Sequence, residues 1–159
     1  MQACRVALPR SDGVVTVRAP RDEDRAPLIS GRDSEYERWL GPGSPEPSPT
    51  VVIAVGDLVV GWVDADDRPD WLGPNELNVG YCVFSEHRGN GYAARALRLL
   101  AQELRHRTTG TALLVIDEHN TSSHVVAQRA GARPVIGRVI ARFPTSVVYA
   151  IELAEPVVR

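Results

Sequence analysis

The chain carries its clearest pattern in Asn78-Val-Gly-Tyr-Cys-Val-Phe-Ser-Glu-His-Arg-Gly-Asn-Gly-Tyr-Ala-Ala-Arg-Ala-Leu-Arg-Leu-Leu100. An apolar strand comes first, then a short polar turn with two glycines, and then an amphipathic helix. The first N–H groups of a helix have no partner within it and together carry about half a positive charge. Glycines let a ligand approach the backbone closely. The segment therefore predicts an anion site, most commonly for phosphate, at this helix N-terminus.

The composition is that of an ordinary globular protein. Of the 159 residues, 43% are hydrophobic and 24% are charged, and we expect a single domain over residues 1–159. The net charge of -2 provides no basic field, so we expect no nucleic-acid partner. All 18 basic residues are arginine, which excludes the P-loop lysine and Schiff-base chemistry.

Cysteine use and hydropathy predict a soluble protein of the cytoplasm. The two cysteines, Cys4 and Cys82, are too few for a disulfide framework and fit a reducing compartment. The four histidines show no metal-ligand spacing, so we expect no metal. No apolar run approaches the roughly 18 residues of a membrane-spanning helix, and the N-terminus lacks the apolar core of a signal peptide. We therefore expect no membrane partner.

Patterns on both sides of this segment predict an α/β fold with a mixed sheet. Gly56-Asp57 marks a hairpin turn, and Gly131 is a natural end for a helix. The predicted elements are a strand (14–18), an interrupted helical region (21–40), a proline-rich loop (41–49), strands (51–55, 58–63 and 77–84), a helix from Tyr92, a strand (111–116), a helix (122–130) and a terminal antiparallel pair (135–142 and 146–153).

The turn also matches a dinucleotide-binding pattern. Gly89-Asn-Gly-Tyr-Ala-Ala94 fits G-x-G-x-x-A, but in that motif the first glycine follows the strand almost directly. Four residues, Ser85-Glu-His-Arg88, intervene here. The acidic partner is expected about 20 residues further on, and Asp117 lies beyond that distance. We therefore favour another phosphate ligand, and NADH binding is the observation that would support the dinucleotide alternative.

A better match is Arg88-Gly-Asn-Gly-Tyr-Ala93, which fits the pattern Q/R-x-x-G-x-G/A. By this motif the chain resembles the GCN5-related N-acetyltransferase (GNAT) superfamily. It looks closest to the branch of the ribosomal-protein alanine N-acetyltransferases, in which a G-Y strand precedes R-G-x-G-Y-A and an Ala/Leu-rich helix. A second block, Asn120-Thr-Ser-Ser123 with Ala130-Gly-Ala132, resembles the N-x-x-S/A … G-F segment of this superfamily. The resemblance spans roughly residues 14–153.

The resemblance implies acetyl-CoA as co-substrate and a primary amine, in a small molecule or a peptide, as acceptor. It implies a single-domain, mostly antiparallel mixed sheet flanked by helices, whose central parallel strands 77–84 and 111–116 splay apart. Pantetheine would lie in that gap, and a backbone N–H near residues 82–84 would stabilise the oxyanion. The implied acetyl-CoA contacts are Cys82, Val83, Phe84, Arg88, Gly89, Asn90, Gly91, Tyr92, Ala93 and Asn120.

Catalytic candidates follow from the same resemblance. Glu76 is our candidate general base, because relatives carry acids near the start of this strand and an amine must lose a proton before it attacks. Asp64 and Asp66 are alternatives. Ser123 is the candidate general acid toward the CoA thiolate, and helix capping is its alternative role. Many relatives place a tyrosine seven residues after the asparagine, where this chain has Ala127.

Several other side chains have a structural and a functional interpretation. Cys82 could be imagined as an acyl-enzyme nucleophile, but we interpret it as a small buried core residue. His119 and His124 flank the second block, where either could act as a base, but we interpret both as solvated surface residues. The tryptophans border loops and are candidates to line an acceptor pocket, although core packing is the stronger interpretation for one of them; they are Trp39, Trp62 (the core candidate) and Trp71.

Two hypotheses of function follow. The first is an N-acetyltransferase that transfers the acetyl group directly in a ternary complex. The second is a catalytically weak acyl-CoA-binding regulatory module on the same fold, suggested by the missing tyrosine and the short region between the first two predicted strands. Tight acetyl-CoA binding without turnover would favour the second. Dimerisation through the terminal strands is common in the superfamily, so the resemblance also allows a homodimer.

Overall fold

The computed structural model describes residues 7–108 and 110–154, where eight strands form one sheet. The strands are β1 (Arg10–Ser11), β2 (Thr16–Arg18), β3 (Val51–Val55), β4 (Leu58–Asp66), β5 (Glu76–Val83), β6 (Thr111–Asp117), β7 (Arg133–Pro134) and β8 (Ser146–Glu152). The helices are α1 (Arg25–Ser30), α2 (Ser34–Leu40), α3 (Tyr92–Arg105) and α4 (Thr121–Arg129). Cys4 lies outside the described residues.

The sheet has the strand order β1-β2-β3-β4-β5-β6-β8-β7. Only β5 and β6 run parallel in it, and its other neighbouring strands pair antiparallel. The β3–β4 hairpin turns at Gly56, whose φ of 59° favours glycine. These features confirm the predicted α/β fold with a mostly antiparallel mixed sheet.

Helices cover both faces of the sheet, because side chains alternate along each strand. On β3, Val51 and Ile53 belong to the main core with the apolar face of α3 and with Ala127 of α4. Val52, between them, belongs to a second core with residues of α1 and α2. Consequently α1 and α2 lie on one face, and α3 and α4 lie on the other.

The central parallel pair opens after three residues. Glu76 pairs with Thr111, and the register continues only through Asn78 and Leu113. Beyond this point, the described residues of β5 keep their pairing with β4 while β6 keeps its pairing with β8. A wedge-shaped gap therefore separates the C-terminal halves of β5 and β6, as predicted for this pair of strands.

The predicted strand over residues 135–142 is wrong. The strand that pairs with β8 in this region, β7, covers Arg133–Pro134, and the chain then leaves the sheet. Gly137 has a φ of 78°, and the side chains of Ile136 and Val139 are 92% and 73% exposed. Spaced apolar residues suggested a strand, yet two of them lie exposed in a loop, while Ile140 is buried in a small core cluster that Val135 packs against.

Candidate functional site

A cavity of about 580 Å³ occupies the gap between β5 and β6. Residues 79–83 of β5 and 114–117 of β6 form its strand walls. Residues of α2 line it from one face of the sheet, and the N-terminal parts of α3 and α4 line it from the other. The cavity therefore passes through the sheet, with one mouth on each face.

The turn before α3 presents free backbone donors to this cavity. Among the hydrogen bonds of residues 7–108 and 110–154, none uses a backbone N–H of residues 89–94 as donor. Gly89 and Gly91 have φ values of 81° and 76°, and a Cβ atom on either would meet no atom within 4 Å. Their left-handed backbone, rather than crowding, favours glycine here. The arrangement can bind an anion with several N–H groups and the positive end of α3.

Arg88 connects this turn to α2. Its guanidinium donates to the two carboxylate oxygens of Asp33 at 2.7 and 3.0 Å, and its Nε donates to the carbonyl of Val83 at 2.9 Å. Asp33 also caps α2 by accepting a hydrogen bond from the N–H of Tyr36. The Arg88 guanidinium holds the pKa of Asp33 below its usual value. Arg88 therefore positions the turn against α2, a contact between elements that sequence spacing does not show.

The backbone of β5 offers fewer free donors than predicted. The N–H of Phe84 donates to the carbonyl of Val60 at 2.8 Å, and its ring packs in the second core, so Phe84 is not part of the cavity wall. A Cβ atom on Gly61 would collide with the carbonyl of Cys82, which therefore points at β4. In an antiparallel ladder the N–H of a residue points the same way as its carbonyl. By alternation, the N–H groups of Tyr81 and Val83 face the gap.

The first turn of α4 places two predicted residues on the cavity wall. Asn120 and Ser123 both line the cavity. The side-chain oxygen of Asn120 accepts from the N–H of Ser123 at 3.4 Å and is the N-cap of the helix. Capping is therefore the role of Asn120 and not of Ser123, whose hydroxyl remains a candidate proton donor.

Two side chains of β5 differ in what they can do in the gap. Burial raises the pKa of Cys82 to about 11, so its thiol stays protonated near neutral pH, in line with a core residue. The hydroxyl oxygen of Tyr81 is buried and has no hydrogen-bond partner. Burial also raises the pKa of Tyr81 to about 12. The Ser123 hydroxyl lies near enough to oppose that shift, but its position relative to the phenol does not have hydrogen-bond geometry. Sequence reasoning did not single out this phenol, because only the fold shows that it borders a cavity.

Glu76 lies outside the cavity wall, at the closed end of the parallel pair. Its oxygens accept from Arg138 at 2.5 and 2.7 Å and from the N–H of Gly73 at 2.6 Å. Arg138 holds the pKa of Glu76 below 4.5, which makes this carboxylate a weaker proton acceptor. These contacts favour a structural role for Glu76.

The alternative acids also lie away from the cavity. One oxygen of Asp64 accepts from the N–H and hydroxyl of Thr50, and Asp66 pairs with Arg68. The two carboxylates on the wall are instead Glu35 of α2 and Asp117 at the end of β6. Sequence reasoning missed both, because their relation to the cavity depends on how elements pack.

Helix α2 forms the opposite wall with Trp39 and its neighbours, so one of the three tryptophans lines the cavity. Trp62 packs edge-on against Tyr36 in the second core, with ring centroids 6.5 Å apart. Trp71 packs against Phe143 in the same way at 6.4 Å. These two tryptophans therefore have packing roles.

Asn90 and His124, two further residues considered in the sequence, both form hydrogen bonds within the protein. Asn90 is exposed outside the wall, and its side-chain nitrogen donates to the carbonyl of His87 at 3.0 Å. His124 is not a solvated surface residue. Its Nε2 donates to the carbonyl of Asp117 at 3.0 Å, so in the neutral ring Nδ1 accepts from the Tyr149 hydroxyl at 2.9 Å.

Two features of residues 7–108 and 110–154 concern membranes and metals. None of their helices is both long and apolar enough to cross a membrane. The same residues contain no group of three or more side chains suited to hold a metal ion.

Solved structures share this fold. An acetyltransferase (GNAT family) from Bacillus anthracis has a TM-score of 0.73 at 14% identity, covering 91% of this chain and 98% of that one. Mycobacterium smegmatis RimJ, in complex with CoA-disulfide, has a TM-score of 0.67 at 18% identity, covering 92% and 86%. Aminoglycoside acetyltransferase AAC(6')-Ib, in complex with coenzyme A and kanamycin, has a TM-score of 0.71 at 14% identity, covering 87% and 94%.

Sequence comparison supplies the family. No curated protein sequence matches the chain. A family model described as the acetyltransferase (GNAT) domain matches residues 15–133, well over half of the chain and including both the glycine turn and the first turn of α4. The dinucleotide interpretation of the turn is thereby superseded, and the chain belongs to the GNAT family of acetyltransferases.

Proposed function

We propose that this protein transfers an acetyl group from acetyl-CoA to a primary amine by direct attack in a ternary complex. The observation that carries the proposal is the cavity through the sheet, with the free N–H groups of residues 89–94 at one mouth and α2 at the other. Donor and acceptor can then meet in the gap from opposite faces. Acetyl-CoA supplies an activated thioester, and the side chains and backbone of this protein would bind it, polarise its carbonyl group and take a proton from the amine.

The turn before α3 would hold the pyrophosphate. Free N–H groups of residues 89–94 and the positive end of the helix favour a group with negative charge. Tyr92 and Ala93 line the adjoining cavity wall. The pantetheine arm would enter the gap between β5 and β6, where unpaired strand edges offer hydrogen bonds, and the amide of Asn120 borders the same gap. These residues fit the ligand in charge and in shape.

The N–H groups of Tyr81 and Val83 would polarise the thioester carbonyl. Both face the gap and are fixed by the pairing of β5 with β4. Fixed donors stabilise the negative charge that develops on the carbonyl oxygen without having to reorganise.

Glu35 is the acid that we assign to the acceptor amine. The carboxylate lines the cavity on the α2 side. One of its oxygens accepts from the Trp39 indole at 3.0 Å, and the other lies 3.9 Å from a guanidinium nitrogen of Arg38 in an exposed pair. An amine with a pKa near 10 is protonated at neutral pH, so a carboxylate at its entrance can orient the cation and take its proton. Asp117, the other acid of the wall, is held by the N–H of His119 and the hydroxyl of Thr145.

Calorimetry of acetyl-CoA binding tests this function first, with NADH as the comparison ligand. Gly91→Glu places a carboxylate at the proposed pyrophosphate position and should abolish binding. Gly56→Glu is the matched control, because Gly56 also has a positive φ and open space around its Cβ position but lies in the distant β3–β4 turn. Retained binding by Gly91→Glu, or binding of NADH in place of acetyl-CoA, would overturn the assignment of the turn.

The acceptor is tested by release of CoA. The panel should contain aminoglycosides and peptides with free N-termini, because the similar folds include an aminoglycoside acetyltransferase and RimJ. Release with one class identifies the acceptor. Tight acetyl-CoA binding with no release across the panel would favour the regulatory-module hypothesis instead. A single domain over residues 1–159, a cytoplasmic location and a homodimer remain predictions.

A further inference from the structure

We propose that the phenol of Tyr81 on β5 donates the hydrogen bond that stabilises the sulfur of the CoA leaving group. The inference rests on the proposed acetyl transfer. It names a residue of the central strand, in a chain whose α4 carries Ala127 where many relatives carry a tyrosine. Four observations lead to it, namely an unpartnered hydroxyl, its neighbours, its place in the gap and its acidity.

The hydroxyl of Tyr81 lacks a partner in a place where that is unfavourable. Its oxygen is buried, and the structure provides no hydrogen bond to it. Buried polar groups nearly always have a partner, and an unmade hydrogen bond carries the full desolvation cost. Tyr81 also lines the cavity. An acceptor atom of a ligand in the gap would therefore provide the hydrogen bond that this hydroxyl lacks.

The neighbours of the phenol are those expected around a leaving group. Tyr81 packs against the main core, whose members include the fully buried Ala127. The methyl group of Ala127 provides no hydrogen-bond donor, whereas Tyr81 provides a hydroxyl to the cavity wall from β5. Ser123 lies close enough to the phenol to affect its pKa and shares the cavity wall with it. Ser122 and Tyr92 also carry hydroxyls on the cavity wall, and among the described residues of this wall the buried hydroxyl without a partner is that of Tyr81.

The place of Tyr81 in the gap matches the place of the reacting bond. Its own N–H and that of Val83 face the gap and are the donors assigned to the thioester carbonyl. The sulfur is bonded directly to that carbonyl carbon, so it must lie in the same part of the gap. On the wall formed by residues 79–83, Tyr81 provides the hydroxyl group.

The pKa of the phenol relative to that of a thiol indicates whether the hydroxyl transfers its proton or only donates a hydrogen bond. The pKa of Tyr81 is raised to about 12, whereas a thiol ordinarily has a pKa of about 8.5. Complete proton transfer from the phenol to the thiolate would be unfavourable by roughly three powers of ten. The phenol therefore keeps its proton and donates a hydrogen bond as the C–S bond breaks. Before attack, the ammonium group of the acceptor loses one proton to Glu35. The nitrogen of the neutral amine then bonds to the carbonyl carbon and loses a second proton to solvent as the amide forms. The electron pair of the broken C–S bond goes to sulfur, and the thiolate takes a proton from solvent.

Tyr81→Phe tests the inference, because it removes only the hydroxyl. Tyr149→Phe is the matched control, since its hydroxyl is also buried but bonds His124 outside the cavity. Three quantities are measured: the Kd of acetyl-CoA by calorimetry, kcat with an accepted amine, and the pKa of the thiol of bound CoA from thiolate absorbance. We expect Tyr81→Phe to keep the Kd within about twofold, to lower kcat by roughly 10- to 100-fold, and to raise the bound-thiol pKa by about one unit.

The outcomes separate the inference from the proposed function. Wild-type kcat and bound-thiol pKa in Tyr81→Phe would overturn the role of Tyr81, as would equal losses in Tyr149→Phe. The comparison is made between wild type and variant and not with free CoA, because burial in the gap by itself raises the pKa of a thiol, as it does for Cys82. Failure of the wild type to bind acetyl-CoA or to release CoA would instead overturn acetyl transfer itself.

Discussion

At position 76 a carboxylate sits between Arg138 and the N–H of Gly73, with its side chain 18% exposed and that of Arg138 26% exposed. Because Arg138 lowers the pKa of Glu76, the folded state binds this proton less tightly than the unfolded state. The stability from the pair is therefore fully present above pH 4.5 and is lost as the pH falls through the lowered pKa.

Glu76→Gln should lower the free energy of unfolding at pH 7 by about 1–2 kcal/mol, because it removes a partly buried, charge-assisted pair. The loss should shrink at low pH, where the wild-type carboxylate is itself protonated. Urea denaturation at both pH values measures it. Glu37→Gln is the control, since Glu37 is exposed and has no ion pair among the described residues. An equal loss at both pH values would contradict the linkage.

The same variant separates two candidate bases. We expect Glu76→Gln to change kcat less than about threefold, and Glu35→Gln to lower it by roughly 10²-fold, the usual size of a lost proton acceptor. The remaining activity of Glu35→Gln should rise with pH, because more of the amine is then already neutral. A large fall in kcat for Glu76→Gln alone would return the base to Glu76.

Residue by residue, sequence could predict what depends on near neighbours. Gly89, Gly91 and Asn120 act through local backbone geometry, and a short motif carries that information. Glu76 depends on Arg138, which is 62 residues away in the chain. Glu35 reaches the cavity only through the packing of α2. No spacing rule encodes either relation, so the carboxylate that we propose as the base could not be chosen from sequence.

Among the elements, β4 pairs with β5 along the strand that forms one wall of the gap. Gly61 of β4 faces the carbonyl of Cys82 so closely that a Cβ atom would collide with it, whereas Gly80 of β5 has no atom within 4 Å of its Cβ position. Gly61→Ala should therefore lower the free energy of unfolding by about 2–4 kcal/mol through strain in the ladder. Gly80→Ala, the control in the same ladder, should change it by less than about 1 kcal/mol. Chemical denaturation compares the two, and equal effects would argue against the collision.

The link between α2 and the glycine turn is a second contact between elements. Asp33→Asn keeps a good helix cap but removes the charge that holds Arg88. The freed guanidinium can then turn to the phosphates, so we expect the Kd of acetyl-CoA to fall by about 3- to 10-fold. The KM of the amine should rise, because α2 loses its tether. Calorimetry and initial rates measure both, and weaker acetyl-CoA binding would show instead that the ion pair shapes the turn.

The helices and strands were predicted correctly where the hydrophobic periodicity agreed with the glycine and proline residues that end elements. The helix from Tyr92 carries an apolar face that packs on the sheet, and the continuous apolar run at 111–116 is a strand buried on both faces. The strand prediction for residues 135–142 failed because spaced valine and isoleucine residues are typical of strands. After Val135, whose N–H still donates to the carbonyl of Val148, the left-handed backbone of Gly137 turns the segment away from the sheet.

For the molecule as a whole, the gap is the place where the proposed acetyl-CoA would replace missing strand pairing. A ligand that binds only the folded state stabilises it by about 2.7 kcal/mol at 100 times its Kd. For a chain of this size that corresponds to roughly 5–10 °C in Tm. Thermal denaturation with acetyl-CoA should show this rise, and Gly91→Glu should show none. A rise in that variant would place the stabilising contact elsewhere.

The two mouths of the cavity also bear on inhibition. If donor and acceptor bind from opposite faces as proposed, an inhibitor that joins a CoA-like half to an acceptor-like half must pass its linker between two strands of one sheet. Only a slender, unbranched linker can pass, and it must enter from one side. Inhibitors confined to a single mouth face no such constraint, and two of them can be bound at once, each blocking a different substrate.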